Sequence, residues 1–226
     1  MTDKSTAVLV TGCSSGIGHA TATRLAANGH TVYATARRLE SIADLERDGC
    51  RTLALDVTDE ASMKAAVDAV EAAEGAVGAL VNNAGYSQSG AVETIPMDRL
   101  RDQFETNVFG LVRMCQLVLP AMRRQGYGRI VNISSMGGRL VFPGGGAYHA
   151  TKYSVEALSD ALRFEVRGFG VDVSIIEPGL ITTEFGSTAA GSIAGTGDAL
   201  DGDDAYAKFN GTVGAATKAV YEGPMR

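Results

Sequence analysis

The chain has 226 residues, and 45% of them are hydrophobic, which is enough apolar material for one large core. Its net charge of -6 and the lack of a Lys/Arg run argue against nucleic acid as a partner, because phosphate binding needs clustered cations. No apolar stretch approaches the roughly 20 residues of a membrane span, and the polar N-terminus does not resemble a signal peptide. Three widely spaced cysteines indicate free thiols in a reducing compartment, so we expect a soluble cytoplasmic protein.

Short β-branched runs alternate with longer segments of helical period along most of the chain. The strand candidates are 7–12, 31–36, 52–57, 79–85, 129–134 and 171–179, and the helix candidates are 16–28, 39–48, 59–74, 97–124 and 148–167. This alternation predicts an α/β fold with a doubly wound parallel sheet, covered by helices on both faces. Because no linker or repeat divides the chain, we expect a single domain over residues 1–226.

The residues after the sixth strand candidate have a different composition. Residues 186–205 read GSTAAGSIAGTGDALDGDDA, and half of them are Gly or Ala. Small residues with weak periodicity predict a mobile substrate lid over 186–210, and a disordered connector is the alternative. Residues 205–223 fit one last helix, and no further strand is found before Arg226.

The first strand runs directly into TGCSSGIG, residues 11–18, and then into a helix. Gly12 permits a tight turn, Gly16 lets the backbone approach a phosphate, and Gly18 lets the helix pack against the strand. The helix N-terminus offers free N–H groups to a pyrophosphate. A purely structural turn is the alternative, but the strand–loop–helix context favours the dinucleotide site of a Rossmann fold. No Lys follows the glycines, which excludes a nucleoside-triphosphate P-loop.

The end of the second strand distinguishes the two nicotinamide cofactors. NAD sites usually carry an acidic residue there for the ribose hydroxyls. This chain has Ala36, followed by Arg37 and Arg38, and guanidinium groups match the geometry of a 2′-phosphate. Two solvated arginines are the alternative interpretation, but the missing carboxylate favours NADP(H).

Tyr148 and Lys152 are four residues apart at the start of a helix and therefore share one face. A free tyrosine has a pKa near 10, about three units too high for acid–base chemistry at neutral pH, and a neighbouring ammonium favours the phenolate. Ser134 and Ser135 lie at the carboxyl end of the fifth strand candidate, at the sheet edge where ligands bind. A serine hydroxyl there can donate to a substrate carbonyl while the tyrosine supplies a proton.

Six motifs occur in a family order between residues 11 and 183: TGCSSGIG, NNAG at 82–85, Asn107 in ETNVFG, NISS, YHATK and EPGLITT. Together they make the chain resemble the short-chain dehydrogenases/reductases of the single-domain branch. The segment from Ala147 onwards is similar to that of steroid- and retinoid-type members. The family's usual seventh strand is not found, so either the chain is shorter than its relatives or a last segment is absent.

The resemblance implies a role for each matching residue. Tyr148 is the implied acid–base group and Lys152 binds the nicotinamide ribose, while Asn107 holds a proton-relaying water. Ser135 is favoured over Ser134 as the catalytic serine because it lies thirteen residues before the tyrosine. The implied cofactor-binding residues are Gly12, Ser14, Ser15, Gly16, Ile17, Gly18, Arg37, Arg38, Asp56, Val57, Asn83, Ala84, Gly85, Tyr148, Lys152, Pro178, Gly179, Ile181 and Thr183.

The expected reaction is interconversion of a hydrophobic ketone or aldehyde with its alcohol, with hydride from NADP(H) and a proton from Tyr148. Val141, Phe142 and an Ala/Gly-rich lid predict an apolar pocket, although the substrate itself is not specified. A redox-sensing NADPH-binding protein without turnover and an epimerase or dehydratase on the same fold are the alternatives. The resemblance also implies a homodimer formed through helices 97–124 and 148–167.

Other polar residues are not predicted to be catalytic. His149 follows Tyr148 and points about 100° away around the helix, so we assign it to the helix surface or to packing against a substrate loop. The Cys13 thiol, inside the glycine loop, is expected to be structural. No Cys/His spacing predicts a metal site.

Overall fold

The computed structural model describes residues 4–181, 183–193 and 205–222, which contain six strands and eight α-helices. In chain order they are β1 (Val8–Val10), α1 (Gly16–Ala27), β2 (Val32–Ala36), α2 (Ala43–Arg47), β3 (Arg51–Ala54), α3 (Glu60–Glu74), β4 (Ala79–Asn82), α4 (Met97–Phe104), α5 (Gly110–Gln125), β5 (Gly128–Ile133), α6 (Gly146–Val166), β6 (Val171–Ile176), α7 (Glu184–Ser192) and α8 (Ala207–Glu222).

The strands form one sheet in the order β3-β2-β1-β4-β5-β6, and every neighbouring pair is parallel. The prediction of a doubly wound parallel sheet is confirmed. The chain builds outward from β1 to β3, then returns to β4 on the other side of β1. The strand order therefore reverses between β1 and β4, and this switch point is where such sheets bind ligands. Within the described ranges no strand follows β6.

The core lies in two layers, one on each face of the sheet. Successive side chains of a strand point to opposite faces, so Leu9 joins one buried cluster while Val8 and Val10 join the other. The Leu9 cluster includes residues of α3, α5 and α6, with Cys115 among them. The second cluster includes residues of α1 and α2, with Cys13 and Cys50. Both faces being covered explains why the strands are near-continuous apolar runs.

Local signals fix where the long helices begin and end. The Asp59 carboxylate caps α3 by accepting hydrogen bonds from the backbone N–H groups of Ala61 (2.8 Å) and Ser62 (3.3 Å). Helix α5 ends at Gly126, which has a φ of 63°, a left-handed conformation that glycine adopts readily. No helix in the described part of the chain is long and apolar enough to cross a membrane.

The predicted helix over 97–124 is wrong in one respect, because it is not uniformly α-helical. A π-helical segment, Glu105–Phe109, separates α4 from α5. This segment, called the π segment below, contains Asn107. The predicted helix over 39–48 likewise begins as a 3-10 turn, Leu39–Ile42, before α2. Such local changes of winding leave the hydrophobic periodicity almost intact, so periodicity does not reveal them.

The predicted lid over 186–210 is described at both ends only, since residues 194–204 lie outside the described ranges. Its first part belongs to α7 and its last part to α8, and these two helices contact each other. Both also bind the segment after β4. The Ser192 hydroxyl accepts a hydrogen bond from the Ser89 N–H (2.8 Å), and Asn210 Oδ1 accepts one from the Ala91 N–H (3.2 Å).

Candidate active site

A cavity of about 840 Å³ opens at the carboxyl ends of the strands, around the switch point. Its wall includes the glycine loop after β1, Arg37 and Arg38 after β2, and Ser135 after β5. Tyr148 and Lys152 of α6 line the same cavity. Its volume lies at the upper end of the range that binds small molecules and cofactors.

Hydrogen bonds hold β1 and β4 together beneath this cavity. The Thr11 hydroxyl oxygen accepts hydrogen bonds from the backbone N–H groups of Asn83 and Ala84, both at 3.0 Å. The Asn83 amide nitrogen donates in return to the carbonyl oxygens of Thr11 and Gly12, both at 2.9 Å. Since Asn83 and Ala84 belong to the NNAG motif, these bonds fix that motif against the glycine loop.

The glycines of the loop have different tasks. Gly12 and Gly16 have φ angles of 71° and 59° and line the cavity. Gly18 does not line it; a Cβ there would clash with the Asn83 side chain and the Gly12 carbonyl oxygen, so Gly18 serves close packing. The Ser15 side chain makes no capping hydrogen bond to α1, which leaves backbone N–H groups available for an anionic ligand. This loop fits the pyrophosphate of a dinucleotide.

Ser135 and the Tyr148–Lys152 pair meet at the cavity wall from two separate elements. The Ser135 hydroxyl accepts a hydrogen bond from the Gly137 N–H (3.0 Å), which fixes the serine at the start of the 3-10 turn Met136–Gly138. On α6, Lys152 Nζ lies 5.7 Å from the centre of the Tyr148 ring. The Phe185 ring of α7 packs against the Tyr148 ring, and the centres of the two rings are 5.3 Å apart.

Lys152 is buried, with 6% of its surface exposed. Its ammonium donates a hydrogen bond to the carbonyl oxygen of Ile133, the last residue of β5, at 2.7 Å. Burial lowers the pKa of Lys152 to about 8, and the carboxylate of Glu156 acts in the opposite direction. The lysine is therefore poised to change its charge only slightly above neutral pH.

Asn107 does not line the cavity but connects three elements behind it. Its amide nitrogen donates to the Tyr86 carbonyl oxygen (2.9 Å) and to the Thr151 hydroxyl (3.1 Å), and its Oδ1 accepts from the Tyr86 N–H (3.1 Å). Thr151 in turn donates to the carbonyl oxygen of Tyr148 (2.7 Å). The π segment is thus tied both to the residues after the NNAG motif and to the helix that carries Tyr148 and Lys152.

His149 is buried and packs against the loop that precedes α6. This agrees with one of its two predicted placements, and the other, on the helix surface, is wrong. Its Nδ1 accepts a hydrogen bond from the Phe142 N–H (3.3 Å), and burial lowers its pKa. Burial raises the pKa of Cys13 to about 12, so its thiol stays protonated and unreactive at neutral pH.

The sequence model of the short chain dehydrogenases matches residues 6–191. The chain belongs to the short-chain dehydrogenase/reductase family. Members of this family are oxidoreductases that use a nicotinamide dinucleotide. The match includes the whole of the sheet and both sides of the cavity described above.

Individual relatives agree with this assignment. The chain is 41% identical over 179 residues to the 3-ketodihydrosphingosine reductase of Bacteroides thetaiotaomicron, covering 79% of this chain and 65% of that protein. Among solved structures, a short-chain dehydrogenase from Streptomyces avermitilis is 47% identical, with a TM-score of 0.75 over 78% of this chain and 67% of its own. A metagenomic short-chain oxidoreductase in complex with NADP is 31% identical, with a TM-score of 0.74 over 78% and 83%. The chain thus spans about two thirds of the length of the first two relatives.

The cavity brings together most of the residues that the sequence predicts for this short-chain dehydrogenase. Asn107 and Gly18 are the exceptions, since both lie behind the wall. Val141 and Phe142, predicted for the substrate pocket, do not line it either and are exposed. The predicted residues that line the cavity are Gly12, Ser14, Ser15, Gly16, Ile17, Arg37, Arg38, Asp56, Val57, Asn83, Ala84, Gly85, Ser135, Tyr148, Lys152, Pro178, Gly179, Ile181 and Thr183.

Several residues that build the site were not predicted from the sequence. Ser41, Thr58, Tyr86 and Thr106 also line the cavity. Gln103, one turn before Asn107, is fully buried; its amide nitrogen donates to the Tyr86 carbonyl oxygen (2.6 Å) and its Oε1 accepts from the Gln88 N–H (2.9 Å). A polar residue four positions before Asn107, on the same helix face, was the available signal.

Replacing Gln103 by Leu leaves the buried Gln88 N–H without its acceptor, so we expect the free energy of unfolding to fall by about 1–3 kcal/mol. Urea denaturation followed by circular dichroism measures this change. Gln116→Leu, at an exposed position on α5, is the matched control and should cost less than about 0.5 kcal/mol. Equal stabilities of the two variants would contradict a stabilising role for the buried hydrogen bonds of Gln103.

Proposed function

We propose that this short-chain dehydrogenase is an NADP(H)-dependent oxidoreductase that interconverts a hydrophobic ketone or aldehyde and its alcohol. The observation that carries the proposal is that Ser135, Tyr148 and Lys152 line one cavity together with the glycine loop. The loop that would hold the pyrophosphate of a dinucleotide and the side chains that would meet its nicotinamide end thus share one cavity. When bound, the nicotinamide supplies or accepts the hydride.

Each side chain at the reactive end has a distinct task in this proposal. The Tyr148 hydroxyl gives its proton to the carbonyl oxygen during reduction and recovers it during oxidation. The Ser135 hydroxyl donates a hydrogen bond to the same oxygen. The Lys152 ammonium lies beside the tyrosine ring and favours the phenolate that remains after proton transfer. The Phe185 ring, packed against the Tyr148 ring, limits the access of water in this proposal.

In this proposal Asn107 supports the site without lining the cavity. Both N–H groups of its side-chain amide are used by Tyr86 and Thr151. With both N–H groups engaged, the second lone pair of Oδ1 is the side-chain group left for holding a relay water towards Lys152. Through Thr151, the same side chain also fixes the turn of α6 that carries Tyr148.

NADP(H) rather than NAD(H) is supported by the cavity wall after β2. Arg37 and Arg38 line the cavity, and the preceding residue is Ala36 instead of a carboxylate. Two guanidinium groups suit a 2′-phosphate, whereas NAD sites favour an acidic residue at this point. The metagenomic relative whose structure holds NADP is consistent with this preference.

Replacing both Arg37 and Arg38 by Ala removes charge-assisted hydrogen bonds to the 2′-phosphate, each worth about 1.5–3 kcal/mol. We expect the Kd for NADPH to rise by at least about tenfold while the Kd for NADH changes little. Fluorescence titration with both cofactors measures the ratio. A double variant of two exposed arginines, Arg24→Ala on α1 with Arg47→Ala on α2, controls for net charge. An equal loss for NADPH and NADH would refute a phosphate-binding role.

A hydrophobic substrate is supported by the aromatic and apolar groups near the reactive end. Phe185 and Ile181 line the cavity, and the Phe185 ring of α7 packs against Tyr148. The Bacteroides relative is named as a 3-ketodihydrosphingosine reductase. We propose that residues 186–210 act as the substrate lid of a single domain, because the described parts of this stretch, in α7 and α8, bind the residues after β4 through Ser192 and Asn210.

We also propose a cytoplasmic homodimer that forms through the helices over 97–124 and 148–167. Large apolar side chains on these elements are exposed, including Phe109, Leu158 and Phe164, which is 80% exposed. Exposed apolar side chains on these elements are typical of residues that an interface covers. Multi-angle light scattering at micromolar concentration should give twice the monomer mass, and a monomer would contradict the interface. The three cysteines are free and buried, which suits a reducing compartment.

Replacing Tyr148 by Phe removes the transferable proton and leaves the ring in place. We expect NADPH-dependent reduction of a panel of aliphatic, aromatic and steroid carbonyls to fall by about 100- to 10,000-fold, with NADPH binding largely retained. Absorbance at the NADPH band over time measures turnover. Tyr153→Phe, an exposed tyrosine on the same helix, is the matched control.

The wild-type protein provides the complementary outcome. Saturable NADPH binding without consumption in the presence of any carbonyl would favour a redox sensor. Conversion of a substrate without net NADPH consumption would favour an epimerase or dehydratase. Full activity of Tyr148→Phe would overturn the assigned proton donor.

A further inference from the structure

A buried carboxylate lies one helical turn beyond Lys152. Glu156 is 4% exposed, and neither of its oxygens is in contact with bulk solvent. An ionised carboxylate in such a place costs free energy unless a cation compensates it. Within the described ranges it forms one ion pair, to Arg139, whose Nη2 lies 2.9 Å from Glu156 Oε2. Nothing in the chemistry proposed above uses this pair.

Arg139 connects the parts of the chain that carry the reactive groups. It follows the 3-10 turn that Ser135 begins, and its guanidinium also lies 3.1 Å from the carboxylate of Glu177. Glu177 directly precedes Pro178, whose carbonyl oxygen accepts a hydrogen bond from the Met136 N–H (2.9 Å). One arginine thus joins the segment after β5, helix α6 and the segment after β6.

The approach of these segments is close enough to require a glycine. A Cβ at Gly138 would lie 2.8 Å from Ser134 Oγ and 3.0 Å from Glu156 Oε1. Both distances are shorter than normal contacts. The Ser135 segment is therefore pressed directly onto the carboxylate of Glu156, with no space for a longer side chain between them.

Glu156 also acts on Lys152, which is on the same face of α6. Burial disfavours the ammonium of Lys152, and the negative charge of Glu156 opposes that effect. Arg139 is paired with the same carboxylate, and its positive charge partly offsets the negative charge of Glu156. Glu156 therefore favours the Lys152 ammonium less strongly than an unpaired carboxylate would. Lys152 is affected by the charge of Glu156 and lies beside the Tyr148 ring, both on α6. Arg139, after β5, is affected by Glu156, by Glu177 after β6 and by Asp160 further along α6. Glu105 of the π segment lines the same cavity as Lys152.

We propose that Glu156, anchored by Arg139, is a positioning residue that keeps Lys152 charged and fixes the Ser135 segment against α6. The proposal rests on the function proposed above in giving Lys152 a task in the reaction. Glu156 touches neither cofactor nor substrate, because it is absent from the cavity wall. Its effect reaches the reaction through Lys152 and through the position of Ser135.

The test is an NMR titration of protein labelled with ¹³C-lysine, which needs no substrate. Lysine occurs at only five positions, and Lys152→Arg assigns the buried one. Removing the carboxylate in Glu156→Gln should lower the titration midpoint of Lys152 by about one pH unit or more, because a neighbouring negative charge favours the ammonium. Removing the cation in Arg139→Gln should raise it, because the full charge of Glu156 then acts on Lys152.

Glu60→Gln is the matched control, since Glu60 is also a helix glutamate paired with an arginine, Arg113, but is exposed and distant from the cavity. It should leave the Lys152 midpoint unchanged. A shift of less than about 0.3 pH unit in Glu156→Gln would overturn the proposal. Shifts of the same sign in the two site variants would overturn it as well. Should Glu156→Gln fail to fold, Arg139→Gln decides, because Arg139 is half exposed.

Kinetics provide a second readout. In carbonyl reduction, kcat/KM should fall at alkaline pH as Lys152 loses its proton, and in Glu156→Gln this fall should begin at lower pH. Glu156→Asp, which keeps the charge, should restore the wild-type profile. A merely structural role would lower kcat/KM equally at every pH. Wild-type protein that consumes no NADPH would contradict the proposed function, and the NMR titration would still decide the role of Glu156.

Discussion

Hydrogen bonds between Thr11 and the NNAG motif hold the two strands whose divergence creates the cavity. Each strand end would otherwise have unpaired backbone groups where the sheet order reverses, and buried groups of that kind are costly. The Thr11 hydroxyl and the Asn83 amide satisfy them across a sequence separation of 72 residues. The glycine loop continues from β1 on one side of this junction. On the other side, the π segment is hydrogen-bonded to Tyr86, which follows the NNAG motif. The positions of Ser135 and Tyr148 depend on the same sheet through β5 and α6.

A second set of contacts determines how the reactive side chains stand relative to one another. Asn107 ties the π segment to α6, and Arg139 ties α6 to the segments after β5 and β6. The side chains that meet the ligand cavity are thereby supported from two directions. Precise placement matters because a displacement of about 1 Å in a reacting group can cost roughly 100-fold in rate. Much of the polar material in the core of this protein serves that placement.

The alternation of strands and helices was sufficient to predict the parallel sheet, and local patterns were sufficient for the glycine loop and for the reactive pair on α6. The rest of the predicted cavity wall followed from the resemblance to the short-chain dehydrogenases/reductases. The spacing of Gly12, Gly16 and Gly18 and the pairing of Tyr148 with Lys152 are each contained in fewer than ten residues. Contacts such as Gln103 with Gln88 or Arg139 with Glu177 join residues that are distant in sequence and chemically ordinary. Only the folded backbone brings them together. The π segment was missed because one altered turn barely disturbs helical periodicity.

The three buried cysteines divide between the two faces of the sheet. Cys13 and Cys50 belong to the layer of α1 and α2, whereas Cys115 belongs to the layer of α3, α5 and α6. A thiol reagent can reach any of them only when the surrounding layer opens transiently. The labelling rate of each cysteine therefore measures how often the layer that contains it opens. Cys115 thus reports on one layer of the core, and Cys13 and Cys50 report on the other.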